Sequence, residues 1–353
     1  MSVTLADVAA RARVSAATVS RVLSGNYPVA ESTRARVLRA VEELEYVVNG
    51  PASALAAASS DLVGIVVHDL ADPFFGILAG AVQTELSGAA GPGGEKLAVV
   101  CGTGGSPERE LTYLTLLQRQ RASAVVLTGS ASQDAGDARA LAAALARLTA
   151  AGTRVVLCGR PADTARDVPD TASLSTLAFD NRGGARQLTA HLIGLGHRRI
   201  GCVAGPSGRT TTAERLAGHR AALAAHGMED APRRIEHGAY DRASGYDAAR
   251  ELLRRDADLT AIVAANDTAA LGVCAALRDQ GRRIPQDVSV AGFDDLPFGT
   301  DASPALTTVR LPLQEAGARA GRLATGREQR PPGGVATLRA ELMVRESTAV
   351  AYS

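Results

Sequence analysis

The sequence predicts a short all-α N-terminal domain followed by a long α/β region folded as two doubly wound parallel-sheet subdomains. Three observations predict it. Residues 1–48 carry helix signals only. From Leu62 onward short β-rich runs alternate with helical stretches, the pattern of parallel strands covered by helices on both faces. Seven such runs spread over residues 62–353 fit two sheets better than one, and 353 residues exceed one small domain. The expected division is 1–48, a connecting segment 49–61, and 62–353 as two interleaved subdomains, with the first crossover near residue 180.

The N-terminal elements follow from caps and spacing. Thr4 can cap a helix through Leu5, Val8 and Ala9, whose apolar residues recur at helical spacing. Ser15 can cap a second helix carrying Val19, Val22 and Leu23 on one face. Glu31-Ser32-Thr33 opens a third, with Val37, Leu38, Val41 and Leu44 at core spacing, and Asn26-Tyr27-Pro28 breaks the chain before it. Asn49-Gly50-Pro51 and the Ala/Ser-rich run to Ser60 read as a flexible linker or a marginal helix, with Pro51 suited to a first turn.

In the α/β region, strands are expected at Leu62–Val67, Leu97–Cys101, Ala124–Leu127, Val155–Cys158, Ile200–Val203, Ala261–Ala264 and Val288–Ala291. Helices are expected at stretches such as Phe75–Leu86 and Gly183–Leu195. Ala90–Gly94 and Pro331–Gly334 read as surface loops, and residues 129–152 as mostly one exposed helix.

Composition narrows the function. Hydrophobic residues make up 46%, charged residues 21%, and the net charge is +1, so any nucleic-acid surface must be local. Lys96 is the only lysine. Cys101, Cys158, Cys202 and Cys274 lie in or beside apolar runs without a paired spacing, and read as buried thiols of a reducing compartment. The N-terminus lacks a signal-peptide pattern and no segment reaches the roughly 20 apolar residues of a membrane span. A soluble cytoplasmic protein without a membrane partner is expected.

The local basic surface is in the N-terminal domain. Arg11, Arg13, Arg21, Arg34, Arg36 and Arg39 crowd one segment, opposed within it only by Glu31. Ser15 to Leu23 follows a short helix by the tight turn Ala12-Arg13-Val14, the layout of a helix-turn-helix whose second helix enters the major groove. Thr18 and Ser20 are placed for phosphate oxygens, and Arg21 for a bidentate guanine contact. Ala16 and Ala17 offer only apolar contact, so specificity is expected to rest more on Arg21 and on the deformability of the central DNA step under Leu55.

Three segments, Thr4–Ala9, Val14–Gly25 and Thr33–Val37 with Leu44-Glu45-Tyr46, resemble the signature of the LacI/GalR repressor family, with Arg13 where the family usually has Gly. The resemblance implies a periplasmic-binding-protein-like sensor and a homodimer on pseudo-palindromic, double-stranded operator DNA. It implies DNA contacts at Thr4, Ser15, Ala16, Ala17, Thr18, Ser20, Arg21, Ser24 and Thr33. It also implies a hinge helix that orders on the operator, with Asn49 and Ala52 in contact and Leu55 wedged in the minor groove. An isolated helix of that length is marginal in water, so ordering would be coupled to binding, and a wedge costs a few kcal/mol of unstacking.

The resemblance continues through Asp72-Pro73-Phe74-Phe75, Asp180-Asn181, Leu195–Arg198, Arg215–Gly218, Ala265-Asn266-Asp267, Gly292–Asp295 and Pro304–Thr308. It implies a sugar-like effector held by Arg215, Asn266 and Asp294, with Asp72 and Arg160 as further polar candidates and Phe74 and Tyr240 as ring platforms. Asp267 and Asp295 are expected to cap helices or order turns, and His197 to fix the turn before Ile200. Gly159 stands where many members carry an acidic ligand residue, which keeps a nucleoside or other non-sugar effector open. The expected function is a repressor of carbohydrate genes; whether the effector induces or co-represses is undetermined by the residues.

An enzyme is the competing reading. Gly102-Thr103-Gly104-Gly105 follows a strand, yet the third glycine of a dinucleotide fingerprint would fall at Pro107. There is no phosphate-loop lysine, no nucleophile elbow and no metal-binding histidine spacing. No catalytic residue, cofactor or metal is expected. A sugar-binding protein without regulatory role would lack the basic N-terminal domain.

Overall fold

The computed structural model describes residues 3–24, 28–46, 60–88, 96–165, 168–169 and 172–351. The connecting segment, with Asn49, Ala52 and Leu55, and the Ala90–Gly94 loop lie outside the described residues.

Three helices form the N-terminal domain: α1 (Leu5–Ala12), α2 (Ala16–Ser24) and α3 (Glu31–Glu43). Thr4 closes a capping box with Asp7: its hydroxyl accepts from the Asp7 amide, and Asp7 Oδ2 accepts from the Thr4 amide at 2.8 Å. That pairing holds the exposed Asp7 carboxyl below its usual range. Arg13 takes a left-handed conformation, φ 53°. The Arg13 amide reaches Ala10 O, and Val14 reaches back to Ala9 O. This tight helix end usually selects glycine. Ser15 then caps α2, its hydroxyl accepting from the Thr18 amide at 3.2 Å. Val8, Ala9, Val19, Val22, Val37, Ala40 and Tyr46 fill a small separate core.

The first sheet is parallel, in the order β11 (Val335–Leu338), β5 (Leu174–Phe179), β4 (Arg154–Cys158), β3 (Ala122–Thr128), β1 (Ser60–Val67), β2 (Leu97–Gly102). Helices α4 (Pro73–Ser87), α5 (Pro107–Arg119) and α6 (Ala135–Ala150) connect its strands. The second sheet is also parallel, in the order β7 (Ile235–His237), β6 (Ile200–Ala204), β8 (Ala261–Ala264), β9 (Ser289–Ala291). Around it lie α7 (Asn181–Gly194), α8 (Thr210–Ala225), α9 (Arg242–Arg255), α10 (Asp267–Asp279) and the single turn α11 (Phe298–Asp301). The chain leaves the first subdomain after β5. From β10 (Thr308–Arg310) it returns to place α12 (Leu313–Thr325) against α4 and to add β11. It crosses a third time to β12 (Glu341–Met343), which pairs antiparallel with β10. One apolar core runs through both subdomains, from Ile65 and Val126 to Ala261 and Phe293.

All seven expected strands form. β5 and β7, with the short β10, β11 and β12, carried no clear signal. β5 is a fully buried strand with Ser175 and Thr176 in its middle, which hides its apolar character. Residues 135–150 are not the exposed helix expected: Leu141, Ala142, Leu145 and Leu148 of α6 are buried. Pro331–Gly334 holds a short 3-10 turn at Pro332–Gly334.

Candidate DNA-binding face and effector cleft

On the N-terminal domain, Ser15, Ala16, Ala17, Ser20 and Arg21 are exposed, while Val19 and Val22 of the same helix face the core. Amphipathic spacing thus turns one face of α2 outward. Ser15, Thr18, Arg21, Thr33 and Arg36 line one open concavity between α2 and α3. The Ser15 and Thr18 hydroxyls lie 2.9 Å apart at the start of α2, where a helix end favours anions. Of the six arginines, Arg11 is paired with Glu43 across α1 and α3.

A cavity of about 510 Å³ opens between the subdomains, at the carboxyl ends of the strands. This is where open α/β sheets bind ligands, and the volume is that of a small-molecule site. Asp72, Phe74, Arg215, Tyr240, Asn266 and Asp294 all line it. Arg160, the remaining candidate, does not. It is 0% exposed and donates to Glu110 through both Nη atoms, at 3.2 and 2.5 Å. The chain turns at Gly159 with φ 86°, and this sends the next side chain away from the cleft and under α5.

Arg215 is the hub. Its Nε donates to Asn181 Oδ1 at 2.9 Å, Nη2 to Asp294 Oδ1 at 2.8 Å and Nη1 to the Ala265 carbonyl. Its guanidinium sits 3.8 Å over the Phe293 ring. Asn266 caps α10, accepting from the Ala269 amide at 2.9 Å, and donates to the Tyr240 carbonyl at 3.0 Å. Burial pushes the Asp294 carboxyl up to about 7, against the pull of Arg215. Burial also raises Asp72, which caps α4 by accepting from the Phe74 amide at 3.0 Å. Phe74, Phe75 and Phe179 form an edge-to-face floor, with Phe74 5.0 Å from Phe75 and 6.3 Å from Phe179.

Sequence reasoning missed the other end of the cleft. Arg209, just before α8, reaches across to the first subdomain. It donates to His68 Nε2 at 2.8 Å, to the Ser130 carbonyl at 2.9 Å and to Ser130 Oγ at 3.0 Å. Backbone bonds from Thr210 to Ala131 and from Gln133 to Gly208 flank it. Burial and the Arg209 charge hold His68 down at about 3, so its ring is a neutral acceptor. A lone arginine before a helix carries no local signal; only the crossing of the two subdomains reveals the latch.

Asp267 and Asp295 are structural. Asp267 is 0% exposed and accepts from the Leu296 amide at 2.7 Å and from the Thr308 hydroxyl at 2.5 Å. Asp295 holds Arg310 at 2.7 Å and Arg345 at 2.5 Å, one on each of two crossover segments. The expected turn role of His197 also holds: its ring meets Thr260 Oγ1 and the Ala349 carbonyl, both at 3.0 Å.

Comparison with known proteins gives two domain matches. Residues 4–49 match bacterial regulatory proteins of the lacI family, and residues 189–348 match the periplasmic binding protein-like domain. The HTH-type transcriptional regulator CelR of Thermobifida fusca is 37% identical over 98% of both chains. The chain belongs to the LacI family of transcriptional regulators.

Solved LacI-family structures agree. A CelR–cellobiose complex superposes with TM-score 0.67 at 35% identity, covering 98% of this chain and 99% of that one. The lac repressor dimer bound to operator and the anti-inducer ONPF gives TM-score 0.79 at 27% identity, covering 99% and 100%. This LacI-family chain is therefore a regulator and not an enzyme. Among the described residues no helix is long and apolar enough to cross a membrane.

Proposed function

We propose that this regulator binds a pseudo-palindromic operator as a homodimer in the cytoplasm and represses carbohydrate genes under control of a sugar-like effector held in the interdomain cleft. The observation that carries the reading is the cleft itself. A polar hub of Arg215, Asn181 and Asp294 stands beside a three-phenylalanine floor, in a chain that also presents a basic helix-turn-helix. Hydroxyls of a sugar need planar polar partners, and its ring face needs an apolar platform. The relatives support it: one is held with cellobiose, another is a dimer on its operator. In this reading Ser15 to Arg21 meet the major groove, with Thr4, Ser24 and Thr33 beside them, and Leu55 of the hinge enters the minor groove between the half-sites.

The test is selection of bound fragments from random duplex DNA by the full-length protein, followed by a sugar screen against the selected site. A two-fold related site whose binding a sugar alters is the expected result. Salt-sensitive binding without a preferred sequence overturns the operator reading.

A further inference from the structure

Arg209 is a poor residue for its place in the chain. It stands at the N-cap of α8, where Ser, Thr, Asp or Asn would accept from the first free amides, and its side chain makes no cap. Its charge also meets the positive end of the helix. The side chain turns across the cleft instead. Nε donates to Ser130 Oγ at 3.0 Å, and Nη2 to the Ser130 carbonyl at 2.9 Å and to His68 Nε2 at 2.8 Å. The backbone crosses with it. Ser132 and Arg209 form an isolated antiparallel β-bridge between the subdomains. The Gln133 amide donates to the Gly208 carbonyl at 2.7 Å, and the Thr210 amide to the Ala131 carbonyl at 3.0 Å. In return the Ala131 amide donates to Thr210 Oγ1 at 3.0 Å.

The place of this latch in the fold gives it leverage. The chain leaves the first sheet from β5 and β11, at one edge, whereas Ser130 follows β3 and His68 follows β1, toward the other edge. In the second sheet the latch loop follows β6, beside the edge strand β7, while the segment entering β10 bridges to β9 at the opposite edge. Crossovers on one side act as a hinge, and an attachment on the far side fixes the angle about it. Arg215 does not supply that attachment, since Asn181, Ala265 and Asp294 all belong to the second subdomain. An orientation held by bonds among protein groups is populated before any ligand enters, and a chain with two orientations binds a partner in proportion to the competent one. Resting on the operator reading above, we infer that Arg209 is a positioning residue: its latch holds the subdomains at one cleft angle without effector, and that angle sets the basal affinity for operator.

Amide hydrogen exchange and operator titration of the full-length protein, on the selected site and without added sugar, test this with two variants. Arg209→Ala removes the side-chain bonds. Thr210→Val keeps the shape and removes the hydroxyl that accepts from Ala131, at a position outside the cleft lining. Arg209→Ala is expected to speed exchange of the Gln133 and Thr210 amides at least about tenfold, and to leave the Ala269 amide in the Asn266 cap unchanged. It is expected to change operator affinity by at least about fivefold, and Thr210→Val to move it in the same direction by a smaller factor. Unchanged exchange, or an equal rise at Ala269, overturns the latch. An operator affinity in Arg209→Ala that stays within about fivefold of the parent, or that Thr210→Val moves the opposite way, overturns the positioning role and leaves Arg209 a residue of the effector cleft. A parent that selects no site fails the operator reading, and the positioning role with it, while the exchange result still decides the latch.

Discussion

At Arg160 both Nη atoms meet Glu110 out of water, whereas at Arg215 the same group faces a cavity. Arg160 follows β4 by two residues and Arg215 lies inside α8, but it is burial that separates their roles. Breaking a buried ion pair leaves an uncompensated charge and costs about 3–5 kcal/mol. Arg160→Ala is expected to lower stability by that order in denaturant melts while effector affinity of the folded protein stays unchanged; a lost affinity at full stability would make Arg160 a ligand residue. Asp267 sets a pH dependence. Burial, then the neighbouring Asp294 charge, raises its carboxyl to about 8. The fold therefore favours the neutral acid. Its contribution is fully present below the ordinary carboxyl range, about pH 4, and is lost as pH rises through about 8. Asp267→Asn stays neutral, with an oxygen for the Leu296 amide and an NH2 for the Thr308 hydroxyl. Thermal melts from pH 5 to 9 should decline less for the variant than for the parent; parallel curves would refute the assignment.

Helix α2 and the α9–α10 pair show how elements are specified. Along α2 the buried Val19 and Val22 orient the exposed Ser20 and Arg21 without any tertiary information beyond a small core. If Arg21 reads a base, Arg21→Ala costs about 1–3 kcal/mol and relaxes one operator position. Equal loss on every sequence, measured by binding to single-base variants, would make it a phosphate contact. The α9–α10 crossing depends on two glycines. A Cβ at Gly272 would stand 2.1 Å from the Arg242 carbonyl, and one at Gly245 would stand 2.2 Å from the Ala269 carbonyl. Gly272→Ala should therefore destabilise by about 1–3 kcal/mol, despite the roughly 1 kcal/mol helix preference of alanine. Gly194→Ala in α7, where nothing lies within 4 Å, is the control and should be neutral or stabilising in the same denaturant titration.

Across the whole molecule, the two subdomains are joined by three crossovers and by the Arg209 latch, with the cleft between them. Asp294 and Asp295 are consecutive, both with positive φ (107° and 56°). One faces the cleft and the other clamps Arg310 and Arg345 on the crossovers. A ligand touching Asp294 would thus be one residue from the clamp on the crossover segments. Coupling between two binding sites is reciprocal and typically about 5–150-fold. Once an effector is identified, saturating operator should change its affinity by the same factor, and in the same direction, as the effector changes operator affinity. Unequal factors in paired equilibrium titrations would rule out a single coupled equilibrium.

Local chemistry determined much of this protein by itself. Caps at Thr4 and Ser15, helical spacing in residues 5–44 and seven apolar strand runs depend on neighbours within a few residues, so they are legible in order along the chain. The cleft residues Arg215, Asn266 and Asp294 were legible through their motifs. Tertiary structure decided the rest. β5 and β11 are strands because partners beside them complete their hydrogen bonds, not because their residues alternate. Arg160 left the cleft because Glu110, fifty positions earlier, lies under it. Arg209 joined the cleft because the second subdomain is carried across to Ser130 and His68. Which cleft side chains already hold protein partners depends on pairs far apart in the chain, which only folding brings within hydrogen-bond distance.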